Sequence, residues 1–463
     1  VYGIAREVAA LTGAPLKPLA FPVAPVGHAD KLPVKVSAPD LCGRFSGRIV
    51  RNVNTQARTP QWMVERLARC GQRSVSPLVD ISNYVMFELG RPSHIFDLDK
   101  IHGGLTVRWG KAGETLKLLN GDTITVDEKV GVIADEQAIE SLAGIMGGDK
   151  TAVTLDTQNI YVEAAFWWPA AIQGRARRYN FSTDAGHRFE RGVDPDIQVY
   201  ALKRAALLMK ELAGGEIASE ITDICSAPIE KFKVELDIKR VNRLIGKEIP
   251  ADTIRTILGA LDIKIEAEEG DLWRVAVPPY RVDVTREADL VEEILRIYGY
   301  NNIPVPSHVN SALSYAPKPD RNKLMNLAAD FLTANGFTEI MSNSLTKAAY
   351  YEGLTSYKPE HCVKILNPLS NDLNVMRQTL LFNMLEAVQL NANHRNGDLK
   401  LYEFGNCYFY DATAATPEEP LKAYSEQFRL AIAVTGIAAP LSWNRKPEQA
   451  SFFTLRAIAE KLL

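Results

Sequence analysis

The cysteines of this 463-residue chain never come in pairs: Cys42, Cys70, Cys225, Cys362 and Cys407 are scattered singly, with no Cys-x-x-Cys among them. That spacing predicts neither a disulfide framework nor a thiolate zinc site, and a reducing cytoplasm fits it best. No apolar run approaches membrane-spanning length, and no signal-peptide pattern opens the chain. Charge of one sign is also missing, since 53 Lys and Arg stand against 56 Asp and Glu for a net charge of -3. This balance excludes coating a nucleic acid by charge alone, so any RNA contact must be localised. What remains is the composition of an ordinary soluble globular protein, 46% hydrophobic and 24% charged. At about 150 residues per domain the length predicts three domains.

Proline divides the chain. Residues 15–39 hold six prolines and predict an extended connector. A short Ser-Ala-Pro-Ile segment lies within 225–231, and a third connector, 303–319, carries Pro304, Pro306, Pro317 and Pro319. The expected parts are therefore 1–38, 39–225, 228–305 and 318–463. A helix over 3–13, with Ile4, Val8 and Leu11 on one face, starts close to the first residue, and another helical pattern, 455–463, reaches the last. The expectation is an internal fragment, with 1–38 the end of a preceding domain plus linker.

In 39–225 the pattern predicts a helix over 62–70 stopped by Gly71, and one over 81–89 opened by Ser82-Asn83 and ended at Gly90. Short β runs such as 105–109 follow, with Asn120-Gly121 as a hairpin turn. A long helix is expected from an Asp194 cap and Pro195 to Gly214. The core expected is one large sheet with few covering helices. Polar detail is densest in 163–195: Glu163-Ala-Ala-Phe, Gly174-Arg-Ala-Arg-Arg, and Phe181-Ser-Thr-Asp-Ala-Gly-His-Arg-Phe-Glu-Arg-Gly-Val-Asp-Pro. Three glycines, a run of arginines and a buried-looking Ser-Thr-Asp-Ala turn exceed what packing requires and mark a site. Glu163 follows the apolar run 160–162, so it stands either at a strand end in solvent or is held for a purpose. Taken alone, His94 reads as a structural histidine.

Downstream, helices over 241–245 and 251–261 precede β runs at 263–266 and 273–277, a winged-helix pattern without a basic stripe. Asp289, Glu292 and Glu293 lie at i, i+3 and i+4, with Asp283 ahead of them. Such acids either stabilise a helix dipole or suit a hard, oxygen-ligated ion such as magnesium. In 318–463 a helix leads into a strand near 340, a second helix follows residue 376, and a strand follows at 399–406.

The run Asp-Ile-Ser-Asn-Tyr-Val-Met-Phe-Glu-Leu-Gly-Arg-Pro-Ser-His at 80–94 and the stretch 163–195 resemble the beta-subunit family of bacterial phenylalanine-tRNA ligases, and the resemblance extends over essentially the whole chain. It implies an α+β multidomain fold: a mixed α/β editing domain (B3/B4-like), a winged-helix-like B5 domain and an incomplete, degenerate class II synthetase-like antiparallel sheet domain. It implies an editing pocket in which His94, Glu163, Asn83 and Thr183 are catalytic and Ser82, Ala143, Gly144 and Ala185 bind substrate, with Ser82 preserving the hydroxyl of a usual threonine. Asp283, Asp289, Glu292 and Glu293 are implied as a magnesium site shared with an alpha subunit. That partner is expected to carry ATP-dependent attachment of phenylalanine to its tRNA in an alpha2beta2 heterotetramer of the cytoplasm. In the third domain Arg377 is followed by Gln378 and Thr379, where an active core would place a glutamate two positions on. The expected role there is packing, not ATP chemistry.

Physical chemistry accounts for those residue types. Tyrosine is phenylalanine plus a hydroxyl, and an apolar pocket rejects an added hydroxyl by only about a hundredfold. A second site that hydrogen-bonds the phenol selects in the opposite direction, with Glu163 as acceptor and His94 positioning water first and acting as base second. Arg175, Arg177 and Arg178, with Arg188 and Arg191, either hold phosphates of the tRNA end or pair with acids such as Asp184 and Glu190. Two other readings remain distinct: a scaffold whose pocket has decayed, and a winged-helix transcription factor. The second would bind duplex DNA, which is not expected.

Overall fold

The strand Cys42–Arg51 (β3) and the strand Ile160–Trp167 (β11) are buried along almost their whole length, and they pair antiparallel at the centre of a six-stranded sheet. The computed structural model describes residues 1–18, 20–309, 311–315 and 318–463, so Pro317 of the third connector lies outside the described residues. It forms two compact units, Val1–His308 and Val309–Leu463.

In the first unit the central sheet runs β1 (Val26–His28), β12 (Glu216–Ala218), β3, β11, β4 (His94–Asp97), with β13 (Thr222–Cys225) also on β3. A second sheet runs β10 (Met146–Gly147), β9 (Ile139–Leu142), β8 (Gly131–Ala134), β5 (Leu105–Trp109), β2 (Val34–Val36). The core is thus two sheets and not the single one expected. The proline connector is not wholly irregular either: β1 and β2 are outer strands of their sheets, where Pro25 and Pro33 precede the strands and leave no ladder donor missing. The strand period of two sorts β11 between two cores. Tyr161, Ala165 and Trp167 pack with Phe45, Val107 and Leu142 between the sheets. Val162 and Ala164 pack against α3 (Pro77–Leu89) and α6 (Gln198–Ala213), with α2 (Gln61–Arg69) alongside. Strands β6 (Thr115–Lys117) and β7 (Thr123–Thr125) form the hairpin expected at Asn120-Gly121.

Two helix starts differ from expectation. Helix α3 begins at Pro77, which occupies its first turn after Ser76, so Ser82 and Asn83 lie inside the helix and do not open it. Helix α6 begins at Gln198, because the Asp194 carboxylate accepts the Asp196 N–H at 3.0 Å in a local turn instead of capping the helix at Pro195. Its end at Gly214 is as the sequence predicts.

Residues beyond 230 of this unit form a three-stranded antiparallel sheet of β14 (Phe232–Asp237), β16 (Leu272–Val277) and β15 (Lys264–Glu269). Helices α7 (Ile238–Ile245), α8 (Ala251–Ala260) and α9 (Glu287–Tyr298) enclose Leu258, Trp273, Val275 and Leu290 against it. The Asp237 carboxylate caps α7 by accepting the Lys239 N–H at 2.9 Å. Helix α1 (Tyr2–Thr12) ends on Gly13 at φ 69°, the left-handed stop its sequence predicts.

In the second unit β17 (Thr338–Glu339) lies parallel to β20 (Lys400–Tyr410), which pairs antiparallel with β21 (Tyr424–Val434). Alternation again sorts the faces: Tyr402, Phe404 and Leu430 meet α10 (Arg321–Ala334), whereas Leu401 and Ala431 meet α11 (Leu381–Asn393). A short pair, β18 (Leu345–Thr346) and β19 (Val375–Met376), stands beside them, and α12 (Phe452–Leu462) follows. Among the described residues no helix is long and apolar enough to cross a membrane.

Candidate active site

Strand β4 opens on His94, and its antiparallel register with β11 sets His94 opposite Glu163. Glu163 is therefore the fourth residue of an eight-residue buried strand, not the strand end that the sequence suggested. With Ser141, Gly144, Trp167 and Ala185 these two residues line a cavity of about 60 Å³. That is room for a few waters, well below the ~300–1,000 Å³ of a typical ligand pocket.

Glu163 is 5% exposed, and its Oε1 accepts the Ala165 N–H at 3.0 Å. Burial pushes its carboxyl up to about 7, opposed by the Arg91 guanidinium and by that N–H. The ring of His94 stands edge-on to Phe96 with centroids 4.4 Å apart, and its buried Nε2 has no hydrogen-bond partner among the described residues. Burial pulls the imidazole down to about 4, so at neutral pH it is uncharged. So weak a base is better suited to orienting a water than to removing its proton. Gly147 sits so close to this ring that a Cβ would collide with it, 2.7 Å from Nε2 and nearer still to Cε1. Sequence reasoning missed Gly147; its only signal was the Gly147-Gly148 pair.

The remaining expected residues divide. Gly144, at φ 68°, lines the cavity, and a Cβ there would meet Trp167 Cδ1 at 2.7 Å. Ala185 lines it too, but Ala143 does not: it is fully buried in the core between the sheets. Ser82 and Asn83, half-buried on α3, are not among the lining residues. Ser82 instead braces the residue before His94, its Oγ 3.0 Å from the Ser93 carbonyl. Thr183 is the N-cap of α5 (Asp184–Phe189): its Oγ1 accepts the Gly186 N–H at 2.9 Å and donates to the Ile145 carbonyl at 2.9 Å. It borders a neighbouring cavity of about 70 Å³ with Arg177 and His187. Helix α5 thus forms a wall shared by both cavities, and the Ser-Thr-Asp-Ala turn is a helix start with Ser182 and Asp184 exposed, not a buried turn.

Of the arginines, Arg178 pairs with Asp127 at 2.5 Å, Arg188 with Asp184 at 2.8 Å and Arg191 with Glu190 at 2.7 Å. The local-pairing alternative holds for these three. Arg177 makes no ion pair among the described residues, and Arg175 donates to the Gln173 carbonyl at 3.4 Å.

The expected convergence of Asp283, Asp289, Glu292 and Glu293 is not formed. Asp289 is the third residue of α9 and closes a capping box, accepting the Thr285 and Arg286 N–H groups at 3.0 and 2.9 Å. Glu293 is held by Arg281 at 2.9 Å and Arg296 at 2.7 Å. Among the described residues no group of three or more His, Cys, Asp or Glu side chains could hold a metal ion. As arranged, this donor set does not fit magnesium. In the second unit Arg377 is buried against Glu403 at 2.7 Å, with its Nε on the Asn406 carbonyl at 3.0 Å.

Three family descriptions match the chain in order: the B3/4 domain over residues 41–214, the tRNA synthetase B5 domain over 234–300, and the phenylalanyl tRNA synthetase beta chain CLM domain over 305–463. A phenylalanine–tRNA ligase beta subunit from Ralstonia nicotianae is 49% identical over 468 residues, covering 100% of this chain and 57% of that one. Counterparts from Burkholderia lata and Bacteroides fragilis are 47% and 43% identical, each again matched over 100% of this chain and 57% of its own length. An N-terminal fragment of the phenylalanyl-tRNA synthetase beta subunit from Pyrococcus horikoshii, 16% identical, covers 65% of this chain and 82% of its own with a TM-score of 0.32, too weak to add to the argument. The chain thus spans a little over half the length of its curated relatives. With three matched regions along one chain and identities of 43% to 49% in alignments that span all of it, the chain belongs to the phenylalanine–tRNA ligase beta-subunit family.

Proposed function

We propose that the region around Glu163 and His94 hydrolyses tyrosine esters of the tRNA specific for phenylalanine, within a beta subunit whose alpha partner attaches phenylalanine with ATP. One observation carries the reading: a buried carboxylate faces the cavity with one oxygen held by Ala165 and no protein hydrogen bond on the other among the described residues. A tyrosyl hydroxyl satisfies that oxygen. A phenylalanyl ring leaves it unpaired, at a cost of about 1–3 kcal/mol or more for a charged group. The ester carbon is already reactive, so neutral His94 need only fix a water through Nε2. The cavity must widen to admit the ring, and the wall available to move is α5, pinned through Thr183 to Ile145.

Relatives named as beta subunits of a tRNA ligase support an alpha subunit and the tRNA as partners, and an alpha2beta2 assembly in the cytoplasm is part of the same proposal. Arg377, buried against Glu403, is not available to a nucleotide phosphate, which supports placing the ATP chemistry in the alpha subunit. No step is assigned to magnesium, because the Asp289 and Glu293 carboxylates of α9 are engaged by arginines and backbone N–H groups. Arg177 is the arginine best placed to meet the tRNA end, since it borders the cavity next to the site and makes no ion pair among the described residues. The test is deacylation of tyrosyl-tRNA and phenylalanyl-tRNA by the assembled full-length enzyme. Preferential release of tyrosine is expected, and inertness toward both esters in an enzyme that still aminoacylates would leave a scaffold only.

A further inference from the structure

Strand β4 stops at His94, so the ladder between β4 and β11 ends at the Glu163–His94 pair. Two residues further along, antiparallel register would bring Pro92 opposite Ala165, and proline has no N–H to donate. The peptide groups of Ala165 are therefore satisfied by side chains. Its N–H donates to Glu163 Oε1 at 3.0 Å, and its carbonyl accepts from Arg91 Nη2 at 2.7 Å. One residue of the strand thereby docks a carboxylate and a guanidinium together.

Arg91 is 0% exposed. Its other acceptors are also neutral, the Gln198 Oε1 and the Pro92 carbonyl, and it makes no ion pair among the described residues. Gln198, itself 0% exposed, is fixed from the other side by donating to the Asp194 carbonyl at 2.9 Å. A buried guanidinium without a carboxylate on it is costly unless a negative charge lies close by. We propose that Arg91 is a positioning residue of this site, docked on Ala165 so that the Glu163 carboxyl beside it can ionise near neutral pH and then acts only as an acceptor for a hydroxyl. The inference rests on the reading of Glu163 given above.

The groups around Glu163 leave Arg91 as the charge that matters. Cys42 on β3 is a buried thiol pushed well up and stays neutral, as does Tyr161 on β11. His94 on β4 is uncharged at neutral pH, and the α5 residues at the cavity, Ala185 and Phe189, carry no charge. Burial drives Glu163 toward its protonated form, and the Arg91 guanidinium is the largest influence in the other direction. The effect is mutual: burial pulls Arg91 down to about 10, and Glu163 is first among the groups that oppose it.

The test is the pH profile of the tyrosine-over-phenylalanine preference in deacylation by the assembled full-length enzyme. Arg91→Met and Arg91→Gln remove the charge, and the glutamine keeps an N–H donor for the Ala165 carbonyl. Arg91→Lys keeps the charge. In the native enzyme the preference should rise with pH through about 7. Both neutral variants should move that rise upward by about one pH unit or more, roughly a tenfold loss of preference at fixed pH below the new midpoint. The lysine variant should return it most of the way. Aminoacylation by the same preparations reports assembly, and if the methionine variant does not assemble, the glutamine–lysine pair decides. Neutral and lysine variants with the native profile would overturn the role of Arg91. A native enzyme with no preference at any pH would instead remove the reading of Glu163 on which it rests.

Discussion

Glu163 and His94 are the last register pair between β11 and β4, and burial shifts them in opposite directions along the pH scale. The carboxyl rises to about 7 and the imidazole falls to about 4, so at neutral pH the pair does not form a carboxylate–imidazolium bridge. Two side chains that could neutralise each other remain available, one as an acceptor and one as a neutral ring with an unpartnered Nε2. Such a pair suits recognition of a hydroxyl and placement of a water better than proton abstraction.

His94 provides a pH test of that assignment. Its folded-state value lies below the unfolded value near 6.5, so its contribution to stability is present above pH ~6.5 and is lost as pH falls toward 4. Replacing it with asparagine should flatten the acid limb of a urea-melt stability profile in that window. The same variant should lower tyrosyl-ester hydrolysis by less than the ~100-fold or more that losing a general base brings. A larger loss, together with a rate that titrates near 6.5 in the native enzyme, would make His94 the base after all.

Gly147→Ala should disable the site without disturbing the rest of the molecule. The added methyl collides with the His94 ring, so either the ring or β10 must shift. Overpacking of this kind costs about 1–3 kcal/mol. Deacylation should fall about tenfold or more while phenylalanine attachment by the same complex is unchanged. An unaltered deacylation rate would mean that the ring position is immaterial.

Thr183→Val should loosen the wall between the two cavities. It removes the N-cap of α5 and the bond to the Ile145 carbonyl, for a loss of about 1 kcal/mol in chemical denaturation. Thr183→Ser, which keeps the hydroxyl, should stay near native stability. Equal melts for the two variants would show that the hydroxyl does not hold this wall.

Much of this was legible in the sequence, and the exceptions have physical causes. Glycines gave the ends of α1, α3 and α6 correctly: Gly13 and Gly90 are left-handed stops, and Gly214 takes a positive φ of 72° that other residues rarely adopt. The starts of α3 and α6 were less legible, since Pro77 nucleates a turn before the amphipathic pattern is evident and Asp194 finds a nearer N–H than the helix offers. Glu163 was readable as unusual, but only pairing on both sides shows that it lies in mid-strand. Gly147 and Arg91 were not legible as site residues. The first matters through a ring 53 positions away in sequence, and the second through a ladder that ends at a proline. The four acids of 283–293 show the reverse: spacing put three on neighbouring helical positions, and the arginines that claim two of them lie outside the pattern.

In the proposed reaction Glu163 reads the tyrosyl hydroxyl. The most direct measurement is the ratio of tyrosyl-tRNA to phenylalanyl-tRNA deacylation by the assembled full-length enzyme, native and Glu163→Ala. A strong native preference for the tyrosyl ester is expected, reduced about tenfold or more in the variant, in line with about 1–3 kcal/mol of lost discrimination. An equal ratio in the two proteins, with hydrolysis intact, would contradict it and place recognition of the hydroxyl elsewhere.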